Sequence, residues 1–262
     1  MRIIKFISSK IKKGELLKYI LWKFGIQQFF RHQIFSNPIR YIKFIYYSYF
    51  LRKSNFEGEN YLNLKFNYLK NKKSDIFMHL ETLYKYTLEC NSVFETGVRG
   101  VVSSWAFLKG LSDSSNNPKK LFLNDIQECD IDNLLRVAEN LDIETKWKWE
   151  NNLNIVFDSN YDLIFIDTLH VYGQLKRELI KFSEICNKYI ILHDTTIDGA
   201  DGEIVRRGMD AKKYSKQLNI PEIELKTGLT KAIDEFLKNN QNWSLIEHFE
   251  HNNGLTILKK IN

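Results

Sequence analysis

The chain has 262 residues, 44% hydrophobic and 14% aromatic, with 3 prolines and 12 glycines. This composition excludes a disordered or collagen-like chain and is enough for one sizeable core. The net charge is +6 but unevenly placed: residues 1–53 hold 12 Lys and Arg against the acid Glu15, so the remainder is net acidic.

MRIIKFISSKIKK is interrupted by lysines and no small-residue cleavage site follows, so a signal peptide is not expected. The apolar stretch Phe44–Leu51 is too short to span a bilayer. LLKYILWKFGIQQFF and IRYIKFIYYSYFLRK read as basic amphipathic helices. Residues 1–58 are therefore expected to form a basic helical segment that packs on the core or on a second subunit. The sharper alternative is contact with an anionic membrane surface or a polyanionic substrate. No nucleic-acid motif is present, and nucleic acid is not expected as a partner. Cys90, Cys129 and Cys186 show no CxxC pairing, which predicts reduced thiols and a cytoplasmic chain, peripheral at the membrane if the basic segment touches lipid.

FEGENY is a polar break, and a second domain is expected over 59–262. Helical spacing runs from Leu62 to Glu89. From Ser92 onward strands and helices alternate. VFETG, KKLFLND, ETKWKWE, YDLIFID and KYIILHD read as strands, and SSWAFLKGL, DIDNLLRVAENL and QLKRELIKFSEI as helices. Residues 195–227 read as a long polar lid or substrate loop. TKAIDEFLKNN is a further helix. NWSLIEHFEH and GLTILKK flank an Asn-Asn-Gly turn and predict a hairpin. The expected fold is α/β: a Rossmann-like, doubly wound, mostly parallel seven-stranded sheet with a C-terminal antiparallel hairpin, plus the basic helical N-terminal segment.

Ligands bind open α/β sheets at the carboxyl ends of the strands. Three apolar runs end there in chemistry-bearing residues: Glu95 with Gly97 and Gly100, then Asp167 with His170, then His193 with Asp194. Glycines let the backbone approach a ligand, while the full dinucleotide fingerprint G-x-G-x-x-G is absent. Asp125, at the end of the second run, is placed to accept ribose hydroxyls; its bland alternative is a helix-terminal acid. Asp167 and His170 are each as readily structural as functional, and His248 and His251 read as surface groups. Trp105, Trp147 and Trp149 read as core or cofactor-edge packing.

VFETGVRGVVSSW, LFLND, DLIFIDTLHVYGQLKREL and YIILHDTT together resemble class I S-adenosylmethionine-dependent methyltransferases. They are similar to the branch of cephalosporin-hydroxylase-like proteins and sugar O-methyltransferases. The resemblance covers about Leu80 to Lys260. It implies S-adenosylmethionine held by Glu95, Thr96, Gly97, Gly100, Ser103, Asp125, Ile126 and Asp167, with an adenine edge near 150–153. It also implies His170 as general base with Asp167 beside it, and Mg²⁺ or Mn²⁺ on Asp167 and Asp194. His193 stands where metal-dependent relatives often carry an acid. The implied activity is O-methylation of a sugar hydroxyl in a glycan or glycoconjugate, in the setting of polysaccharide biosynthesis. A small-molecule hydroxyl, or a non-catalytic module that binds a glycan-assembly partner through the basic segment, are the alternatives. A homo-oligomer fits either.

Overall fold

The computed structural model describes residues 37–55 and 57–261. The amphipathic run LLKYILWKFGIQQFF lies outside the described residues. Helix α1 (Pro38–Lys53) begins with Pro at its first turn, where no amide donor is lost, and the Asn37 side chain accepts from Arg40 N at 3.0 Å. It lies on α2 (Gly58–Asn71), with Phe44 stacked 5.3 Å from Tyr68. The polar break at FEGENY thus gives way to the start of α2. The helical spacing over Leu62–Glu89 resolves into α2 and α3 (Leu80–Thr87), because Lys72 turns to extended backbone.

The order continues β1 (Ser92–Thr96), α4 (Ser103–Asp113), β2 (Lys120–Asp125), α5 (Asp132–Glu139), β3 (Glu144–Trp149), β4 (Tyr161–Ile166), α6 (Tyr172–Ile185) and β5 (Cys186–His193). Then come α7 (Glu203–Arg206), α8 (Ala211–Leu218), α9 (Glu222–Lys226), α10 (Leu229–Asn239), β6 (Trp243–Phe249) and β7 (Leu255–Lys260). The strands form one 7-stranded sheet in the order β3-β2-β1-β4-β5-β7-β6. The first five run parallel, and β7 is antiparallel to both β5 and β6.

The central strands are buried on both faces, as their unbroken apolar runs require. Val93, Leu121, Leu163, Phe165 and Ile191 meet Trp105, Phe107 and Leu108 of α4 on one face. Phe94, Phe122, Ile164 and Ile190 meet Leu179 and Phe182 of α6 and Phe236 of α10 on the other. Each fully buried side chain of this kind contributes roughly 1.5–3 kcal/mol.

Residues 195–227 are not an open loop. Helices α7, α8 and α9 fold over the carboxyl edge around Ile204, Ile220 and Leu225, each at most 4% exposed. Asp210 starts α8 by accepting from Lys212 N and Lys213 N, and Asn219 ends it in the left-handed region. The sparse apolar residues here carry no clear period, so the helices were not readable from spacing. Trp149 is 61% exposed at the end of the edge strand, outside the core, whereas Trp105 is buried in it.

Candidate functional site

A cleft of about 390 Å³ opens along the carboxyl ends of β1, β2, β3 and β4. That lies in the usual range for small-molecule sites, roughly 300–1,000 Å³. Parallel register brings Thr96 level with Asn124 on one side and Ile166 on the other, so all three strands end together. The chain then leaves β1 through Gly97 at φ +94°, a conformation open to glycine. An added Cβ there would lie 1.9 Å from the carbonyl oxygen of Asp167. Arg99 and Val101 also take positive φ, at 38° and 56°. For a β-branched valine this is strained backbone, of the kind held in place at functional turns. Gly100 needs no such freedom, and a Cβ there would make only an ordinary contact with Val102 Cγ2 at 3.8 Å.

The cleft has two ends. At one, Asp125 accepts from Arg99 N at 2.8 Å and from Gln127 N at 3.0 Å, and so fixes the turn after β1. It caps no helix, since α5 starts at Asp132. Each carboxylate oxygen keeps a further lone pair. The exposed Ile126 and the polar Glu150, Asn151 and Asn152 complete this end.

At the other end His170 is surrounded by carboxylates. Its Nε2 lies 3.0 Å from Asp167 Oδ1. Its Nδ1 lies 3.0 Å from Asp194 Oδ2, 3.2 Å from Asp198 Oδ2 and 3.7 Å from Glu203 Oε2. Burial opposes charge on this ring, but Asp167, Asp198 and Asp194 outweigh it and push His170 up to about 10. Against burial, the charge of His193 and then His170 hold Asp167 well below the usual carboxylate range. Burial beside Asp167 raises Asp194. Arg206 grips Asp198 with two bonds, at 2.5 and 2.8 Å, and Arg207 pairs with Glu203 at 2.8 Å. Asp194 sits at φ 58°, a region that aspartate tolerates.

Asp167, His170 and Asp194 each present a ligand atom within 4.8 Å of the others, a hard-oxygen and imidazole set suited to a divalent cation. His193 is not one of these converging donors. Its Nδ1 lies 3.4 Å from both Asp167 and Asp194, without hydrogen-bond alignment, and its ring packs edge-on to His79 at 5.8 Å.

Of the residues singled out in the sequence, Thr96, Gly97, Asp125, Ile126, Asp167 and His170 line the cleft. Glu95 and Ser103 lie beneath it. Glu95 is fully buried, accepts from Ser103 Oγ, and so ties β1 to the start of α4. Burial pushes its carboxyl up to about 8, against the pull of Ser103 and Ser104. Gly100 faces a different cavity on the far side of the loop.

A polar network under the cleft floor was not anticipated. Glu178 Oε1 accepts from Asn152 Nδ2 at 2.6 Å, Thr168 Oγ1 at 2.7 Å and Gln174 Nε2 at 2.8 Å. Asn152 also donates to Thr96 Oγ1, which itself donates to Asn124 Oδ1. The carboxylates of Asp198 and Glu203 were likewise read only as lid polarity. In sequence, Glu178 looks like any acid on an amphipathic helix, and nothing short of the packed fold marks it as buried.

No family model matches the chain, and no curated protein matches its sequence. Among solved structures, an S-adenosylhomocysteine-bound methyltransferase from Podospora anserina, PaMTH1, is 12% identical at a TM-score of 0.47, covering 82% of this chain and 94% of that one. The O-methyltransferase TomG of Streptomyces achromogenes, with S-adenosylmethionine bound, is 10% identical at 0.47, covering 71% and 80%. An O-methyltransferase from Bacillus cereus in complex with S-adenosylhomocysteine is 14% identical at 0.45, covering 70% and 80%. At this level of likeness, function has to be read from the chain's own residues.

Proposed function

We propose that the chain is an S-adenosylmethionine-dependent O-methyltransferase acting on a sugar hydroxyl of a glycan or glycoconjugate. The observation that carries this reading is the continuity of one cleft from Asp125 and Asn151 to Asp167 and His170. A ribose-accepting acid stands at one end and proton-handling groups at the other. Gly97 brings backbone against Asp167 between them. The cofactor supplies the electrophilic methyl group; the chain's residues align it with the acceptor and handle the proton. Asp125 fits ribose hydroxyls, and Thr96 and Gly97 fit the amino-acid part.

His170 is proposed to take the hydroxyl proton. The surrounding carboxylates keep the ring charged, and an imidazolium takes no proton. A divalent cation on Asp167 and Asp194 would supply the compensating charge and lower the pKa of a nearby hydroxyl. Asp167 and Asp194, two of the three converging donors, fit such an ion and leave His170 to act as the base. The acceptor end is rimmed by Glu203 and Arg207, with Tyr214 the one aromatic over 195–227, which suits a polar acceptor better than a flat phenol.

Calorimetric titration with S-adenosylmethionine and S-adenosylhomocysteine, with chelator and then with Mg²⁺ or Mn²⁺, tests the reading. Saturable binding of both cofactor forms is expected, with metal-stimulated methyl transfer to a sugar acceptor that His170→Ala abolishes. No binding by folded protein would sink it.

A further inference from the structure

A larger cavity, about 570 Å³, lies on the other side of the loop after β1, between α1, α2, α4 and the start of α5. Its walls carry Arg52, Lys65, Lys72 and Arg99, and its one carboxylate is Asp130. Only Arg99 has an ion-pair partner among the described residues, Asp75. Burial first, then the nearby Lys72, lowers the Lys65 pKa, and Asp130 offsets this in part. Lys65 Nζ sits 5.1 Å from the Trp105 ring, and Lys72 Nζ 5.7 Å from the Tyr68 ring. Residues 1–36 hold Glu15 as their one acid, so that stretch offers little to neutralise the cavity.

Like charges gathered in a concave, partly desolvated site cost free energy unless a counter-charge enters. The volume exceeds what a bare phosphate needs and leaves space for an organic body beside the anion. We infer that this cavity binds an organic diphosphate, with the anion on Arg52, Lys65 and Lys72 and the body in the remaining volume. Arg99 lines both this cavity and the cleft, so such a ligand would sit one loop away from Asp125. This inference goes beyond the methyl-transfer reading and does not depend on it.

The test is calorimetric titration of the full chain with uridine diphosphate and with inorganic pyrophosphate, at low and high salt. Saturable uridine diphosphate binding is expected, weakened by salt and at least tenfold weaker in the Arg52→Gln/Lys65→Gln double variant. Pyrophosphate should bind more weakly. Circular dichroism checks the fold; should the double variant misfold, Arg52→Gln alone, at an exposed position, carries the comparison. The inference is overturned by absence of saturable binding or by binding that survives the substitutions. Pyrophosphate binding as tight as uridine diphosphate would overturn the assignment to an organic diphosphate. A parallel titration with S-adenosylhomocysteine separates this outcome from the fate of the methyltransferase reading.

Discussion

Gly97 and Asp167 meet backbone to backbone: the space for a Cβ on Gly97 is taken by the Asp167 carbonyl, 1.9 Å away. The contact joins the turn after β1 to the strand end that carries the acid, so the two halves of the cleft are set by one close approach. Gly97→Ala must open this contact and also strain φ +94°. A stability loss of at least roughly 1–3 kcal/mol is expected, with S-adenosylhomocysteine binding weakened tenfold or more. Chemical denaturation and calorimetry on the same sample check both.

Asp125 holds two backbone amides and is proposed to hold ribose. Asp125→Ala should therefore cost about 1–2 kcal/mol of stability and weaken cofactor binding more than tenfold. If cofactor affinity is unchanged while stability falls, Asp125 only braces the turn.

His170 offsets the carboxylates Asp167, Asp194, Asp198 and Glu203. Removing one partner from a buried charge cluster costs about 3–5 kcal/mol. His170→Ala in chelator is expected to melt well below the parent. Millimolar Mn²⁺ or Mg²⁺ should raise the variant's Tm more than the parent's, because the ion takes over the lost charge. Thermal unfolding with and without EDTA reads this directly.

The pH dependence of stability has a definite sign. Glu95 is raised from its ordinary value to about 8, and His170 to about 10. In both cases the folded chain binds the proton more tightly than the unfolded one. The Glu95 contribution is full below about 4.5 and lost as pH rises through 8; that of His170 is full below about 6.5 and lost through 10. The depressed Asp167 acts oppositely, and its contribution is lost only in strong acid. In chelator, Tm should fall by at least about 3 °C from pH 6 to pH 9. A flat or rising profile would contradict these environments.

Glu178 gathers three donors beneath the cleft floor. Glu178→Ala leaves the amides of Asn152 and Gln174 and the Thr168 hydroxyl short of an acceptor, at about 1–3 kcal/mol for each group left unsatisfied. Glu178→Gln, which keeps one acceptor oxygen, should lose less. The ordering of the two variants by urea midpoint is the check.

The strands were legible in the sequence because burial on both faces forces local, unbroken apolar runs: VFET, LFLN, LIFI and IILH need no long-range information. The Asn-Asn-Gly turn likewise announced the antiparallel hairpin through backbone conformation alone, with Asn252, Asn253 and Gly254 all at positive φ. The same logic put Asp125, Asp167, His170 and Asp194 at one sheet edge, since a strand that ends in polar residues ends at the carboxyl side. What the sequence could not decide is which donors converge. Helix α7 brings Glu203 and Arg206 back to His170, and the Glu203 amide donates to the His170 carbonyl at 2.8 Å. That return path makes His170 a charge partner of four acids, and leaves His193 beside the cluster but outside its converging donors. Parallel packing of β1 against β4 requires Gly97, while Gly100 was spared that duty and lines a second, cationic cavity instead. Periodicity records which residues are buried; only the tertiary path of the chain sets which buried charges face one another.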